Sequence, residues 1–311
     1  MMILPKYISV SDYNRSDDFK IRYKMIEGVP KVDYRFMDRA NGWQYNPVTV
    51  SQYALCLYDE YITEKANHKK ELFFKQVKWL ENNIEKRTED IFALPYNFPH
   101  KWCDLSAPWY SGMAQGQAAS VFIRAYALTQ DNKYKRMSAN LINFMLLSVE
   151  KGGALTKTPE GLPWIEECVT EKPSLILNGH LYGLLGLIEY YLYMEDEKYK
   201  SSYDELIQAT LELIPSYEKD NCLIYARRIN INKCSPKYMG LQALEAKHVY
   251  ELTKNTDFKE IYERWYSYTD WKKFWEDIDR QNRRIYYIVK NIKGFIKSLF
   301  PRLYTKIRLS V

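Results

Sequence analysis

Up to about residue 45, apolar positions alternate with polar ones: Ile21, Tyr23 and Met25, then Val32, Tyr34 and Phe36, with Gly28-Val29-Pro30 between the two runs. A period of two broken by Gly and Pro predicts a β-hairpin. From Pro47 the period lengthens to that of a helix. Helices are expected near 48–63, 70–86, 109–128, 132–149, 178–193, 198–214, 237–253 and 257–276. The connections at 64–69, 129–131, 194–197 and 254–256 are short, while those at 87–108, 150–177 and 215–236 are long and rich in Pro. A short connection makes its two helices antiparallel neighbours. Four such pairs in series, joined by long crossing segments, give an α/α toroid with the long segments at one end. An irregular bundle is the alternative arrangement of the same helices.

The first helix of each pair supports the ring. Ala118-Ala119, then Gly179, Gly183 and Gly186, then Gly240, Ala243 and Ala246 supply the small side chains an inner helix packed on both sides requires. Each also carries a Tyr near its end: Tyr58, Tyr126, Tyr190 and Tyr250. The expected fold is thus mainly α: a toroid of about four helical hairpins over 46–279, an N-terminal β-hairpin segment over 1–45, and a tail over 280–311.

The tail is set apart by charge. The 311-residue chain holds 45 basic and 39 acidic residues, but nine of the basic ones and none of the acidic ones follow residue 279. The preceding 36 against 39 make a mildly acidic body, which disfavours nucleic acid as a partner. In the tail, Ile285, Ile288, Val289, Ile292, Phe295, Ile296, Leu299 and Leu303 recur at helical steps with the cations mostly elsewhere. Such a basic amphipathic helix either caps the toroid or lies on an anionic membrane surface. With 46% apolar and 27% charged residues the chain is globular rather than disordered. Five cysteines without a CxxC pair, and no basic-then-apolar leader in Met1–Lys6, lead to the expectation of reduced thiols in the cytoplasm, possible docking to the inner face of the membrane included.

There is no P-loop, strand-linked GxGxxG, GxSxG or HExxH string, and the four histidines lack ligand spacing. Neither a metal nor another cofactor is expected. Tyr occurs 28 times, beside 8 Trp and 12 Phe; rings with a polar tip suit sugar surfaces as well as cores. Within 150–177, Trp164-Ile165-Glu166-Glu167 places two carboxylates on opposite faces of an extended segment. One can enter a cleft as general acid or base while the other stays outside. In Ile224-Tyr225-Ala226-Arg227-Arg228, a Tyr could move a proton while an Arg pairs with a substrate carboxylate. Trp109-Tyr110-Ser111-Gly112-Met113-Ala114-Gln115-Gly116-Gln117 puts two Gly and two Gln in the first turns of a helix, which is poor helix chemistry and suits close approach to sugar hydroxyls. His180, beside Asn178, opens the next inner helix and is the histidine best placed to meet a substrate.

These segments together, with Asn46-Pro47-Val48-Thr49-Val50-Ser51-Gln52-Tyr53, resemble the C-terminal domain of the D-glucuronyl C5-epimerases, which act on heparan sulfate and related glycans. The resemblance runs from about Tyr45 to Tyr268. It implies a helical toroid with a cleft for an acidic polysaccharide, and catalytic roles for Glu167 and Tyr225; Tyr238 is the candidate to stand in for the further catalytic Tyr, and a lipid-linked oligosaccharide is the other expected substrate. The resemblance further implies substrate contacts from Arg228, Trp109, Tyr110, Gln115, Gln117, Trp164, Asn178, His180, Asn46 and Tyr53. Two positions depart from the pattern: Cys168 stands where a Tyr is expected after the Glu, and Lys233–Tyr238 replaces an Asp-Tyr-His segment. The expected activity is C5 epimerisation of a uronic acid by removal and return of a proton. A lyase or glycosidase on the same toroid, or a non-catalytic glycan-binding protein, are the competing expectations.

Overall fold

The computed structural model describes residues 4–170, 172–227 and 234–282. Arg228 and residues 283–311, which hold most of the basic tail, lie outside the described residues. The chain opens with two short helices that alternation did not predict, α1 (Ile8–Ser11) and α2 (Ser16–Arg22). A three-stranded antiparallel sheet follows: β1 (Lys24–Ile26), β2 (Val29–Asp33) and β3 (Trp43–Tyr45). The expected hairpin is β1–β2, but it turns one step early. Ile26 pairs with Val29 around Glu27 and Gly28, at φ 51° and 84°, the two positive values a tight hairpin turn requires.

Four helix pairs then follow in chain order. They are α3 (Pro47–Glu64) with α4 (Asn67–Asn83), α5 (Gly112–Thr129) with α6 (Asn132–Leu146), α7 (Leu177–Met194) with α8 (Lys200–Leu213), and α9 (Pro236–Thr253) with α10 (Thr256–Tyr268). The first members pack in the row α3–α5–α7–α9, the inner wall of an α/α toroid. They are equal in length, 18 residues each, and end alike. Lys65, Gln130, Glu195 and Lys254 adopt left-handed backbone, and each donates its N–H to a tyrosine carbonyl one turn back: Tyr61, Tyr126, Tyr191 and Tyr250. The structural repeat thus uses Tyr61 and Tyr191 rather than the neighbouring Tyr58 and Tyr190. Between α5 and α7 the backbones touch: a Cβ on Gly116 would lie 2.7 Å from the Cα of Gly183, so only glycine permits this spacing.

The long connections carry short ladders. β4 (Glu85–Lys86) pairs with β5 (Phe92–Ala93), β6 (Pro95–Tyr96) with β7 (Trp109–Tyr110), β8 (Leu155–Lys157) with β9 (Pro163–Ile165), and β10 (Glu218–Lys219) with β11 (Cys222–Leu223). The last expected helix is divided. Asp270 accepts the N–H of Lys273 at 3.0 Å and starts a separate α11 (Trp271–Gln281), whose Phe274 presses on Gly240 of α9.

Four pairs leave the inner row open between α9 and α3, and α1 packs against both. The segment around it threads the ring and is held by buried polar groups from all four inner helices. Arg124 of α5 and Glu189 of α7, both fully buried, form a two-pronged ion pair at 2.8 Å. Arg124 also donates to the carbonyl of Pro5 at 3.1 Å and lies over the rings of Tyr7 and Tyr58. From α3, the Tyr58 hydroxyl accepts the N–H of Leu4 and Asp59 accepts that of Tyr7. The Tyr182 hydroxyl of α7 donates to the carbonyl of Ser9, whose own hydroxyl meets His248 of α9 at 3.0 Å.

Removing one partner of a buried pair leaves a charge without compensation, at a cost of about 3–5 kcal/mol. Glu189→Ala is therefore expected to lose about that much stability in urea unfolding. The double change Arg124→Met with Glu189→Met should lose less than the sum of the two single changes.

Candidate active site

A cleft of about 230 Å³ lies over the first turns of the inner helices. Its centre is Glu167, and the strand before it explains how the carboxylate gets there. In β9, Trp164 and Ile165 are buried, and the carbonyl of Glu166 accepts the N–H of Gly112 at the start of α5, at 2.8 Å. The Glu166 carboxylate turns inward and accepts from the Ser174 N–H (3.0 Å), the Ser174 hydroxyl (2.7 Å) and the Leu175 N–H (3.1 Å). Of the adjacent carboxylates one does face the cleft, but the other does not stay outside. Glu166 is fully buried and pins the loop that leads into α7.

Glu167 lies flat on the first turn of α7, where a Cβ on Gly179 would come within 2.6 Å of Oε2. That oxygen is buried and has no hydrogen-bond partner among the described residues. Burial first, then the nearby charge of Cys103, pushes the carboxyl up to about 7, with Glu166 adding to the rise and His100 opposing it. A carboxyl at that value exchanges protons at neutral pH, as a general base must.

Tyr225 and Tyr238 share the cleft with it. Tyr225 is placed by its own carbonyl, which accepts the N–H of Leu177 at 3.1 Å, and Tyr238 by the first turn of α9, capped by Ser235. Their rings meet edge to face with centroids 4.7 Å apart. Burial, then the charge of Glu167, pushes Tyr225 well above the usual phenol range and Tyr238 up to about 12. Both phenols keep their protons beside a carboxylate that readily gives up its own.

Asn178, Trp109 and Asn46 also line this cleft. The side-chain oxygen of Asn178 is buried without a hydrogen-bond partner among the described residues. Trp109 stacks on Tyr96 at 3.9 Å and donates to the carbonyl of Phe98. Asn46 caps α3 through Thr49, donates to the Tyr34 hydroxyl and accepts from that of Tyr96.

Six expected contacts lie elsewhere, for identifiable reasons. Trp164 is completely buried between His180, at 3.7 Å, and Tyr217, at 5.4 Å, so neither face is open to a sugar. His180 is engaged at both ring nitrogens, by the Ile165 N–H and the Thr210 hydroxyl. Gln115 is spent on Leu94 and on the carbonyl of Ser111, closing the end of the first crossing segment onto α5. Gln117 and Tyr53 are buried in the helical core. Tyr110 leaves β7 on the face opposite Trp109, where it donates to Glu85 under the Arg87 guanidinium.

Sequence reasoning missed Arg22, Tyr34, Tyr96, His100 and Tyr182, all in the cleft wall. Only Tyr182 carried a signal, four residues after Asn178 on one helix face. Arg22 donates through Nε to Asn282 at 2.5 Å, while its buried Nη2 makes no hydrogen bond among the described residues and has Asp18 3.8 Å away. Lys237, held by Gln281 at 3.1 Å, is a second cation in the wall. His100, Cys103 and Cys168 bring three donor atoms within 4.8 Å of one another. Their two sulfurs, however, are 2.9 Å apart. Two bonds of about 2.3 Å at a tetrahedral zinc would hold them about 3.8 Å apart, so that ion would require the sulfurs to part by about 0.9 Å.

The raised Glu167 value has a consequence for stability with a definite sign. Below its ordinary value of 4.5 the carboxyl is protonated in folded and unfolded chains alike. Between there and about 7 the unfolded chain has lost the proton that the folded one keeps, so stability falls as pH rises, and levels off above. Glu167→Gln is therefore expected to be nearly neutral at pH ~4 and stabilising on the order of 3 kcal/mol at pH ~8. Thermal unfolding at both pH values checks this; an equal effect at the two would contradict it.

Comparison with known proteins agrees with the fold and narrows the family. The model of the family described as D-glucuronyl C5-epimerase C-terminus matches residues 85–267, more than half of the chain. The string at Asn46–Tyr53 precedes that match. A D-glucuronyl C5-epimerase of Caenorhabditis elegans is 25% identical over 224 residues, which are 67% of this chain and 36% of that protein. The chain thus aligns with about a third of the length of that relative. Among solved structures, a GH76 α-mannanase of Bacteroides thetaiotaomicron superimposes with a TM-score of 0.56 at 15% identity, over 81% of this chain and 67% of that one. A D-mannose isomerase does so with a TM-score of 0.50 at 11% identity, over 72% and 59%. At such identities the likeness is one of fold, the α/α toroid. The family match over more than half its length places this chain in the D-glucuronyl C5-epimerase C-terminus family.

Proposed function

We propose that this protein inverts C5 of a uronic acid within an acidic polysaccharide or a lipid-linked glycan. The observation that carries the reading is Glu167, a carboxyl poised near neutral pH with one buried oxygen unpartnered, sharing a cleft with two protonated phenols. The C5 hydrogen of a uronate is alpha to its carboxylate. Glu167 takes that proton, and the electron pair spreads onto the carboxylate as an ene-diolate. Fixed donors stabilise such developing charge best where water is excluded. Arg22, whose Nη2 has no hydrogen-bond partner among the described residues, and Lys237 are the described cations in the wall, and the family pattern adds Arg228 as a candidate partner for the substrate carboxylate. A phenol of Tyr225 or Tyr238 then protonates C5 from the other face. Proton transfer through solvent returns Glu167 and the phenol to their starting states. Trp109 and Asn178 supply ring and amide contacts to the sugar.

A polymer of glucuronate and N-acetylglucosamine incubated with the protein in deuterated water is expected to gain deuterium at C5. Glu167→Gln, and Tyr225→Phe with Tyr238→Phe, should lower the rate by about 100-fold or more. Absorbance of an unsaturated uronate would instead make the protein a lyase. Tight binding of acidic glycans with no exchange would make it a binding protein. Either result overturns the proposal.

A further inference from the structure

We propose that Cys103 and Cys168 are a redox-active pair that closes to a disulfide by exchange with small-molecule disulfides, which dock in a cavity on the outer side of the two sulfurs. The pair comes from segments 65 residues apart, and its sulfurs touch at 2.9 Å. That lies about 0.9 Å beyond a disulfide bond and about 0.9 Å short of the sulfur spacing on a shared zinc.

The two residues sit in a wall between two spaces. Cys168 faces the cleft beside Glu167. Both cysteines also face an outer cavity of about 430 Å³, which Trp102, 69% exposed, and Lys172 help to line. An exposed indole with one ammonium group, Lys172, and one carboxylate, Asp104, suits a thiol compound that bears both carboxylate and ammonium groups. Cys103 is the more accessible sulfur, since Cys168 is only 3% exposed. Electrostatics divides their roles in the same way. The Cys168 thiol and His100 both favour a thiolate on Cys103, while that thiolate and burial keep the proton on Cys168. A thiolate nucleophile beside a protonated resolving thiol is the arrangement disulfide exchange needs.

The chemistry balances without any further reagent. The Cys103 thiolate attacks one sulfur of the small disulfide, forms a mixed disulfide and expels a thiolate. Cys168 then attacks the Cys103 sulfur, its proton passing to the departing second thiol. One small disulfide is reduced to a thiol and a thiolate, and the protein gains one S–S bond while losing one proton. Closure staples the 98–106 loop to the segment after β9 that carries Glu167 and removes the Cys103 charge from beside that carboxylate. The exchange itself does not depend on the epimerase reading.

The test uses the full chain in buffers of oxidised and reduced glutathione, quenched with acid, alkylated and mapped by peptide mass. Wild-type protein should become lighter by two hydrogens, with Cys103 linked to Cys168, and dithiothreitol should reverse the change. Cys168→Ser should accumulate a single glutathione on Cys103, whereas Cys103→Ser should gain none on Cys168. A wild-type protein that holds glutathione on Cys103 without forming the link would overturn the proposal. So would thiols that stay unreactive until a chelator removes a stoichiometric zinc. The wild-type map decides the matter even if the variants fold poorly.

Discussion

The toroid depends on a buried ion pair that closes a gap the helices cannot close. Four inner helices make an incomplete ring, and an open ring would expose the apolar walls of α3 and α9. The segment from Leu4 to Asn14 fills the opening, but its backbone brings polar groups into a dry interior, where each needs a partner. Arg124, fixed by Glu189, serves the carbonyl of Pro5, and Tyr58, Asp59 and Tyr182 serve its neighbours. Every inner helix contributes to this grip. The ring and its plug therefore form as one unit.

The cleft lies over the first turns of the inner helices. Each long connection ends at the start of an inner helix and delivers one part of the site: Trp109 before α5, Glu167 before α7, Tyr225 before α9. The two adjacent glutamates divide the labour. Glu166 gives three hydrogen bonds' worth of capacity to the loop and becomes structural. Glu167 is left with a buried oxygen and no partner, a local cost that stability elsewhere in the fold offsets. Gly179 makes this possible, since any side chain there would occupy the space of the carboxylate.

Much of the fold was legible in the sequence because it is written in local periodicity and loop length. The four pairs follow from short connections at 64–69, 129–131, 194–197 and 254–256, and the ring from the small residues of α5, α7 and α9. The plug was not legible. Its four-residue helix leaves no periodic trace, and its hydrogen-bond partners on the inner helices lie 42 to 239 residues away. Glu167 and Tyr225, where a residue type and a family string coincide, line one cleft, and Tyr238 joins them there from a segment that departs from that string. The site was misread where polar or aromatic residues serve the core: Gln115 closes a loop, and Trp164 with His180 forms a buried stack. Arg22 and the meeting of Cys103 with Cys168 depend on contacts between distant loops, which no spacing rule reports.

The central claim is geometric: a uronyl ring in the cleft has the residue-167 carboxyl on one face of C5 and a phenol on the other. A crystal structure of Glu167→Gln with a uronate oligosaccharide measures this directly. The account predicts the residue-167 side chain about 3–3.5 Å from C5, with the Tyr225 or Tyr238 hydroxyl at similar reach on the opposite face. A sugar bound outside the cleft, or with residue 167 and both phenols on one face of the ring, would contradict it.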